Sequence, residues 1–443
     1  MEENNETSLH IALFPWLAMG HLIPFFNLSK RLAQKGHKIS FLSTPKNLTK
    51  LAKIPLHLSP LLNLVPLPFP NLPNLPPNAE SSADLPYNKQ PLLKQAHDLL
   101  EPSIAAFLEA SKPDWIIYDF ASFWLPPLAA KLGVSRVFFC LFTAACMDFI
   151  GPPSGVAPEW VPFETSVVFR VYEMGKYVEN VAQVYVTDTV RIGLTVVDSE
   201  FVAVRTRPEF EPEWLCLLGE LYRKPVVPVG VLPPVIEEET GDEERWVRVK
   251  EWLDKWKANS VIYVALGTEA SLTRDELSEL GLGLEKSELP FFWVLKNPPG
   301  STQPALEILP DGFLERVKDR GIVWVDWAPQ VRILSHDSVG VFLTHCGWNS
   351  VIEGLGFGRV LVLLPFVNDQ GLNARQLGTS WILDGSFTSD SVAKTVRLAM
   401  VDESGESLRV KAREIKGLFG DRDSNDRYLN EFVTLLKEKR NQS

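Results

Sequence analysis

The sequence has few cysteines, no long apolar run and no excess of basic residues. Its four cysteines lie without CxxC spacing, which favours reduced thiols over a disulfide framework or a zinc site. The longest apolar stretch, Val360–Val367, is interrupted by Pro365 and is too short to span a bilayer. The net charge of -11 argues against nucleic acid as a partner, because binding a phosphate backbone requires a basic surface.

Two further absences concern targeting and cofactors. Met1 to Leu9 is polar and acidic and has neither the basic start nor the apolar core of a secretory signal. We therefore expect a cytoplasmic protein without a membrane span, and we expect a monomer. A nicotinamide or flavin oxidoreductase needs G-x-G-x-x-G between the first strand and its helix, but residues 14–26 contain only Gly20. This argues against that class.

The length of 443 residues predicts two domains, since a typical domain has about 100–200 residues. Short apolar runs alternate with helical segments in both halves, which is typical of doubly wound α/β sheets with parallel strands. The predicted strands are His10–Phe14, Lys38–Leu42, Trp115–Tyr118, Val137–Cys140, Val261–Leu266, Phe291–Leu295, Ile322–Val325, Val341–Thr344 and Val360–Leu364. Two such domains predict a cleft between them, with ligands beyond the carboxyl ends of the strands.

The acidic, proline-containing stretch 232–247 is the predicted linker between these domains. The first domain then covers 1–231 and the second 248–424. The terminal segment 425–443 predicts a helix with one apolar face, carrying Leu429 and Phe432. We expect this helix to pack back on the first domain.

Two candidate catalytic residues follow strands of the first half. His21 lies in the predicted loop after His10–Phe14, just before a helix in which Pro24 suits the first turn. A neutral histidine there can take a proton from an acceptor hydroxyl near pH 7. Asp119 ends the strand Trp115–Tyr118, and it is interpreted equally well as an N-cap or as a partner that holds the His21 imidazole.

The strongest candidate site is the run from Trp327 to Gln370. Residues 345–350 predict a turn between a strand and a helix, in which Gly347 permits close backbone approach. Free N–H groups at the start of such a helix suit a phosphate or diphosphate. Trp327 offers a face on which a base can stack, and Glu353 can accept hydrogen bonds from ribose hydroxyls.

The stretch of 44 residues from Trp327 to Gln370 resembles the donor-binding signature of plant-type UDP-glycosyltransferases of glycosyltransferase family 1. The opening 14–24, the strand end at Asp119 and the stretch 265–268 are also similar to that family. The resemblance covers essentially the whole chain. It implies the GT-B architecture, two Rossmann-like domains facing a cleft, with the acceptor bound mainly by the first and the UDP-sugar by the second.

Carried over residue by residue, the resemblance makes His21 the general base and Asp119 its partner. It assigns the donor to a larger set, in which Trp327 stacks on uracil, Glu353 holds the ribose, and the others address the nucleoside, the diphosphate or the sugar. That set is Thr268, Trp327, Ala328, Gln330, His345, Gly347, Trp348, Asn349, Ser350, Glu353, Asp369 and Gln370.

The donor sugar and the acceptor are less well specified. The resemblance associates a final glutamine, Gln370, with glucose, and leaves UDP-rhamnose as the alternative. The loop 14–16, with 25–26 and 43–47, further resembles members that glycosylate the sugar of an existing glycoside. Two apolar stretches, 56–77 and 120–149, can line an acceptor pocket, although core packing explains any single residue as well. The acceptor candidates are Phe120, Trp124, Phe142, Met147 and Phe149.

The expected reaction is a single displacement at the anomeric carbon that inverts its configuration, with no cofactor and no metal. A metal-dependent transferase usually places a DxD pair against the diphosphate. The spacing at Asp421-Arg422-Asp423 matches, but capping or solvated charge explains it better. Two alternatives remain. A catalytically silent UDP-sugar binding protein would keep the Trp327–Gln370 run and lose His21 or Asp119, both of which are present. A UDP-sugar epimerase would need no acceptor.

Overall fold

The computed structural model describes most of the chain, and it divides the chain into two compact units. The described residues are 8–149, 156–170, 172–173, 185–233, 235–236, 243–267, 272–296, 304–325, 327–378 and 386–441. The first unit comprises Met1–Pro153, Val178–Leu232 and Arg422–Ser443. The second unit comprises Ser154–Tyr177 and Pro233–Asp421.

The first unit contains a sheet of seven parallel strands in the order β3-β2-β1-β4-β5-β6-β7. The strands are β1 His10–Phe14, β2 Lys38–Ser43, β3 Leu62–Pro66, β4 Trp115–Tyr118, β5 Ser135–Cys140, β6 Phe201–Val204 and β7 Val226–Pro228. Four of them were predicted from their apolar runs, whereas β3, β6 and β7 were not. β3 lies within the stretch 56–77 that was interpreted as pocket lining. It pairs with β2 at the edge of the sheet, where Pro66 costs no central hydrogen bond.

Helices connect these strands and the terminal helix adds to them. They are α1 Met19–Gln34, α2 Pro45–Thr49, α3 Gln90–Asp98, α4 Glu101–Ser111, α5 Leu125–Lys131, α6 Ala144–Asp148, α7 Asp188–Val197, α8 Pro212–Tyr222 and, at the chain end, α17 Arg422–Arg440. Short 3₁₀ helices occur at Leu56–Leu58, Ser82–Asp84 and Tyr87–Lys89.

The second unit contains five parallel strands in the order β10-β9-β8-β11-β12. These are β8 Val261–Ala265, β9 Phe291–Val294, β10 Gly321–Trp324, β11 Val339–Thr344 and β12 Val360–Leu363. Its helices are α9 Glu243–Leu253, α10 Arg274–Ser287, α11 Phe313–Val317, α12 Gln330–Ser335, α13 Trp348–Gly356, α14 Gln370–Gln376, α15 Ser389–Met400 and α16 Glu406–Gly420, with 3₁₀ helices at Ala305–Ile308 and Glu403–Gly405. The prediction of two α/β units with parallel strands is confirmed.

Each sheet reverses its winding direction once, and this reversal determines where ligands can bind. In the first unit the chain winds outward from β1 to β3, then resumes on the other side of β1 with β4. In the second unit the same reversal lies between β8 and β11. Because helices leave the two strands in opposite directions at such a point, a crevice opens beyond their carboxyl ends. Residues that follow β1, β4, β8 and β11 are therefore placed for function.

The helix α1 begins earlier than the sequence predicted. The carbonyl of Ala18 accepts hydrogen bonds from the backbone N–H groups of His21 and Leu22, so the first turn forms before Pro24. Pro24 lies inside the helix, where it omits one intrahelical hydrogen bond. His21 consequently lies in the first turn of α1 and not in the preceding loop. The helix α10 begins with a capping box, in which Thr273 and Glu276 form paired hydrogen bonds.

The terminal helix α17 belongs to the core of the first unit. Its side chains Leu429, Phe432 and Leu436 are fully buried together with residues of β1, β4 and α1. The indole Nε1 of Trp115 on β4 donates to the carbonyl of Leu436 at 3.2 Å. The helix begins at Arg422, three residues before the predicted segment 425–443, and its first turn contains Asp423.

The segment 154–177 lies in a different unit from the one predicted, since the prediction placed all of 1–231 in one domain. It belongs to the second unit. Tyr172 packs against the hydrophobic core of that unit, and Glu173 forms an ion pair with Arg375 of α14. The chain therefore leaves the first unit after α6 and returns to it for α7. Of the predicted linker 232–247, residues 234 and 237–242 lie outside the described part.

Candidate active site

The first unit brings His21 and Asp119 together, as the sequence predicted. β1 and β4 are neighbours in register, with Phe14 opposite Tyr118, so the segments that follow them start side by side. The imidazole Nδ1 of His21 lies 2.8 Å from Oδ2 of Asp119. Asp119 is 2% exposed, whereas the His21 side chain is 15% exposed. A buried carboxylate thus faces an imidazole that remains accessible.

The hydrogen bonds of Asp119 decide between its two interpretations. Its Oδ2 also accepts from the backbone N–H of Trp16 at 2.8 Å, and its Oδ1 from that of Ala121 at 3.4 Å. The next helix, α5, has its N-cap at Trp124, so Asp119 does not cap it. An ionised carboxylate accepts the proton of Nδ1, which leaves Nε2 of His21 as the basic nitrogen. Among the described residues none forms a hydrogen bond to that Nε2.

Two aromatic rings lie next to the histidine. The ring centroids of Phe120 and Phe142 lie 5.5 Å and 5.9 Å from that of His21. Trp16 contacts Phe120 edge-on, with 6.0 Å between centroids. Two of the acceptor candidates, Phe120 and Phe142, are therefore next to the candidate base, and Trp16 is a neighbour that the sequence did not single out for this role.

The other three acceptor candidates pack elsewhere in the first unit. Trp124 is 7% exposed and contacts Phe14, which the strand β1 supplies. Met147 is 1% exposed, and Phe149 is 6% exposed with its ring against Trp214 of α8. Met147 and Phe149 are thus buried as core residues are.

In the second unit the predicted donor residues follow the strands in spatial order. Trp327 comes after β10, His345 after β11, and Asp369 and Gln370 after β12. Since the five strands are parallel, all these segments start at the same edge of the sheet. Thr268, predicted to follow β8, lies outside the described residues.

The turn after β11 is built around the His345 imidazole. Cys346 has a φ of 68°, which reverses the chain, and α13 begins at Trp348 with Gly347 as N-cap. A Cβ at Gly347 or at Gly267 would lie 2.6 Å from Nε2 of His345, so only glycine fits on both sides of the ring. The N–H groups at the start of α13, which include those of Asn349 and Ser350, form the predicted anion-binding terminus.

Burial keeps the His345 imidazole neutral. Desolvation, with a smaller contribution from the charge of Lys296, lowers the pKa of His345 to about 4. The imidazole Nδ1 is buried and has no hydrogen-bond partner among the described residues. His345 can therefore offer a hydrogen bond from a neutral ring to a ligand, but it does not supply a positive charge.

The nucleoside end of the candidate site is an exposed ring beside a network of polar side chains. Trp327 is 53% exposed, which leaves its indole available for stacking, whereas the adjacent Ala328 is buried. The amide Nε2 of Gln330 donates to Oε2 of Glu353 at 2.7 Å and to the hydroxyl of Ser350 at 3.3 Å. These hydrogen bonds join α12 to α13 and fix the direction of the Glu353 carboxylate.

At the sugar end, backbone and side-chain hydrogen bonds hold Asp369 and Gln370. Oε1 of Gln370 accepts from the N–H groups of Phe366 and Val367, at 2.8 Å and 3.1 Å. This fixes the amide orientation and directs its NH₂ away from those two groups. Asn373 links Oδ2 of Asp369, at 2.6 Å, to the carbonyl of Cys346, at 3.0 Å.

Trp348 has a different environment from the other predicted sugar contacts. Its side chain is 4% exposed, and its ring centroid lies 6.0 Å from that of Phe419 on α16, edge-on. The recorded ring contact is thus a packing contact within the second unit. Its assignment to the sugar stays a prediction from the resemblance.

The sequence missed three residues of this region: Asn373, Lys296 and Glu173. Asn373 is fully buried and joins the two ligand-binding turns, and its position one helical turn after Asp369 was a usable signal. Lys296 follows β9 and lies over the Trp327 ring, with Nζ 5.3 Å from the centroid. Glu173 lies far away in sequence, so no local pattern pointed to it.

No metal centre and no membrane segment is found in the described part of the chain. Within those residues no group of three or more histidine, cysteine, aspartate or glutamate side chains is placed to hold a metal ion. The two aspartates of the DxD spacing flank a helix boundary, with Asp421 as C-cap of α16 and Asp423 in the first turn of α17. None of the described helices has the length and apolar character that crossing a bilayer requires.

Comparisons with known proteins agree on one family. A family model described as UDP-glucoronosyl and UDP-glucosyl transferase matches residues 245–404. The chain is 53% identical to UDP-glycosyltransferase 91C1 of Arabidopsis thaliana, over 99% of each chain. It is 40% identical to soyasaponin III rhamnosyltransferase of Glycine max, covering 99% of this chain and 97% of the other. It is 34% identical to anthocyanidin 3-O-glucoside 2''-O-glucosyltransferase of Ipomoea purpurea, over 98% of each.

Solved structures show the same fold. A complex of Glycyrrhiza uralensis UGT73P12 with glycyrrhetinic acid 3-O-monoglucuronide superposes with a TM-score of 0.82 at 22% identity, covering 98% of this chain and 97% of the other. The structure of UDP-glucose: anthocyanidin 3-O-glucosyltransferase in complex with UDP gives a TM-score of 0.78 at 26% identity, covering 99% of this chain and all of the other.

Proposed function

The chain belongs to the plant-type UDP-glycosyltransferases of glycosyltransferase family 1, with the GT-B fold, and we propose that it transfers glucose with inversion of the anomeric centre. As a member of this family, it is an enzyme that transfers sugar from a UDP-sugar to a small plant natural product. The observation that carries the mechanism is the hydrogen bond of 2.8 Å between Asp119 and Nδ1 of His21.

In the proposed reaction, Nε2 of His21 takes the proton of the acceptor hydroxyl as its oxygen attacks the anomeric carbon. The bond between that carbon and the diphosphate oxygen breaks, and UDP leaves from the opposite face. An α-linked UDP-glucose then gives a β-glucoside. Asp119 holds the imidazole in the reactive tautomer and stabilises the imidazolium that forms. General base catalysis of this kind contributes about 10²–10⁴-fold.

We propose that the diphosphate is bound by the N-terminus of α13 and by the His345 turn, with no metal ion. Uracil stacks on Trp327, and Glu353 accepts hydrogen bonds from the ribose. These groups are preorganised, since hydrogen bonds within the second unit already fix Glu353 and Asp369. Preorganised donors stabilise developing charge on the leaving group without reorganisation cost at the moment of reaction.

Glucose is supported by the resemblance, which associates a final glutamine with this sugar. The NH₂ of Gln370 remains to donate to a sugar hydroxyl while backbone N–H groups hold its Oε1. The competing donor is UDP-rhamnose, which the similarity to a soyasaponin III rhamnosyltransferase favours. The similarity to a glucosyltransferase named for an anthocyanidin 3-O-glucoside supports a glycoside as the acceptor. A mass-spectrometric screen of UDP-glucose, UDP-rhamnose and UDP-galactose against aglycones and monoglycosides separates these possibilities. Sugar isomerisation without an acceptor would instead indicate an epimerase.

The test of the mechanism compares His21→Ala and Asp119→Asn with the wild type, all assayed in EDTA. We expect His21→Ala to lose about 10²–10⁴-fold in kcat while its UDP affinity stays within twofold, because the proposed UDP contacts are all in the second unit. Asp119→Asn should also lose kcat, since its amide no longer stabilises an imidazolium. Wild-type activity in His21→Ala would remove this base from the mechanism, and activity that EDTA abolishes and Mg²⁺ restores would contradict the metal-free proposal. A wild type that binds UDP but transfers to nothing in the screen would indicate a silent binding protein.

A further inference from the structure

Lys296 occupies a position in the second unit that the family signature does not cover. It follows β9, which lies between β10 and β8 in the sheet. Its neighbours along the edge are therefore Trp327, after β10, and Gly267, after β8. The Nζ atom is 5.3 Å from the centre of the Trp327 ring, and the Lys296 charge lowers the pKa of His345. The side chain thus lies between the proposed uracil-stacking ring and the proposed diphosphate turn.

Among the described residues, the charge of this lysine has no counter-ion. In the described part of the chain no carboxylate forms an ion pair or hydrogen bond with Lys296, although other lysines of the same unit have such partners, among them Lys250 and Lys286. Burial lowers the pKa of Lys296 to about 8. A partly buried ammonium without an anion is unfavourable, because desolvation is not offset by a neighbouring negative charge. Such a group indicates that the anion is supplied by a ligand.

We propose that Lys296 binds the diphosphate of the UDP-sugar and, after the sugar has been transferred, the leaving UDP. This inference deepens the proposed function and rests on it. The neutral His345 imidazole and the N–H groups of α13 donate hydrogen bonds to the diphosphate, and Lys296 supplies the full positive charge that they lack. Charge-assisted hydrogen bonds to phosphate are about twice as strong as neutral ones. Loss of the lysine should therefore weaken donor binding and slow the step in which UDP leaves the anomeric carbon.

The same arrangement makes UDP affinity depend on pH in a stated direction. Below about pH 8 the lysine is charged before UDP arrives, and affinity is constant. Above that pH the free protein must take up a proton on binding, so affinity falls with rising pH until the lysine also loses its proton in the complex. His345 faces Lys296 from β11, but it is already neutral throughout this range. From β10, Trp327 contributes no titratable group, and Glu353 of α13 is hydrogen-bonded to Gln330.

The experiment measures UDP dissociation constants by isothermal titration calorimetry at pH 7.5 and pH 9.5 for Lys296→Met, Lys296→Arg and a matched control, Lys286→Met. Lys286 lies in the same unit on α10, where it binds Ser389 and Asp390 at the surface. At pH 7.5 we expect Lys296→Met to raise Kd about 10- to 100-fold and the control to leave it unchanged. Only the wild type and the control should lose affinity at pH 9.5. Lys296→Arg should keep most of the affinity at both pH values, because arginine stays protonated.

Each outcome distinguishes this inference from the proposed function. A Lys296→Met protein that binds UDP as the wild type does, with the same pH dependence, overturns the inference. If Lys296→Met does not fold, the Lys296→Arg variant tests the inference. If Lys296→Arg loses as much UDP affinity at pH 9.5 as the wild type does, a group other than Lys296 titrates and the inference is overturned. A wild type that fails to bind UDP at all contradicts the proposed function itself.

Discussion

Two carboxyl groups of the first unit, Asp148 and Glu211, are buried and take no part in the proposed reaction. The exposed fractions of Asp148 and Glu211 are 2% and 1%. Glu211 accepts hydrogen bonds from the N–H groups of Ala144 and Ala145 at the start of α6, and from the hydroxyl of Thr206. Burial raises the pKa of both carboxyl groups, and the charge of Glu211 raises that of Asp148 further. At neutral pH the folded protein therefore holds protons that the unfolded chain would release.

This retention of protons predicts that the first unit becomes less stable as pH rises. A carboxyl whose pKa is raised by folding stabilises the folded state fully below its unfolded pKa of about 4, and loses that contribution as pH rises toward the folded pKa. Asp148→Asn should therefore flatten the decline in unfolding free energy between pH 5.5 and pH 8.5, as measured by urea denaturation. The exposed Asp198→Asn is the control and should leave the decline unchanged. Equal slopes for Asp148→Asn and the wild type would refute the assignment.

The residues of the candidate site differ in how far the sequence could predict them. His21 and Asp119 follow apolar strands that are recognisable by themselves, so their proximity was predictable once the two strands were adjacent. Lys296 also follows a predicted strand, but a single lysine after a strand looks like any surface lysine. Its significance comes from Trp327, which follows a neighbouring strand, and from the absence of a carboxylate partner among the described residues. Both observations require the folded sheet.

At the scale of elements, the segment 172–173 is joined by an ion pair to α14, the helix that begins with Gln370. The guanidinium of Arg375 binds both carboxylate oxygens of Glu173, at 3.1 Å and 2.6 Å, with side-chain exposures of 6% and 11%. The Glu173 carboxylate lies against Gly371, where a Cβ would be 1.9 Å from Oε1. Glycine at this position thus lets a residue of the segment contact the backbone next to the proposed sugar-binding glutamine.

Breaking this buried ion pair should destabilise the second unit. Glu173→Gln leaves the Arg375 guanidinium buried without a counter-charge, which costs about 3–5 kcal/mol. We also expect a raised KM for the UDP-sugar, because α14 carries Gln370. The matched control is Glu315→Gln, whose pair with Lys318 is 74% and 57% exposed and contributes about 0–1 kcal/mol. Hydrogen exchange of α14 peptides and urea denaturation measure the two changes. If both variants behave alike, the ion pair does not hold the segment.

Two of the strands that the sequence did not predict, β3 and β7, lie at the edges of their sheet. β7 has only three residues, too few for its apolar pattern to be distinguished from a loop. β3 contains Pro66 and lies in a proline-rich stretch, so its composition argued against a strand, and pairing with β2 determines it instead. Local pattern predicted most of the buried strands, whereas tertiary pairing determines the edge strands β3 and β7.

At the scale of the whole molecule, the chain does not complete its units in sequence order. It supplies most of the first unit, diverts 154–177 to the second, and returns at its end to add α17 to the first. The described contacts of the buried α17 side chains are with first-unit residues. Phe432 contacts Phe201 of β6, with ring centroids 6.0 Å apart, and Leu429 and Leu436 lie in the same core. Folding of the first unit therefore depends on residues that follow the entire second unit in sequence.

This dependence predicts that a core substitution near the chain end acts on the first unit, which carries His21. Phe432→Ala removes a fully buried ring and should cost about 3–5 kcal/mol in unfolding free energy, because the surrounding core collapses only partly into the cavity. Glu431→Ala changes the adjacent residue, whose side chain is 63% exposed, and should stay within about 0.5 kcal/mol of the wild type. Hydrogen exchange read by mass spectrometry separates the units. Protection should fall in peptides from β1 and β4 and persist in those from β8 and β11, and UDP binding should survive at temperatures where acceptor glycosylation is already lost. If protection were lost only in β8 and β11, the prediction would be wrong. The Phe432→Ala substitution would then act on the core of the second unit, to which the described α17 side chains do not belong.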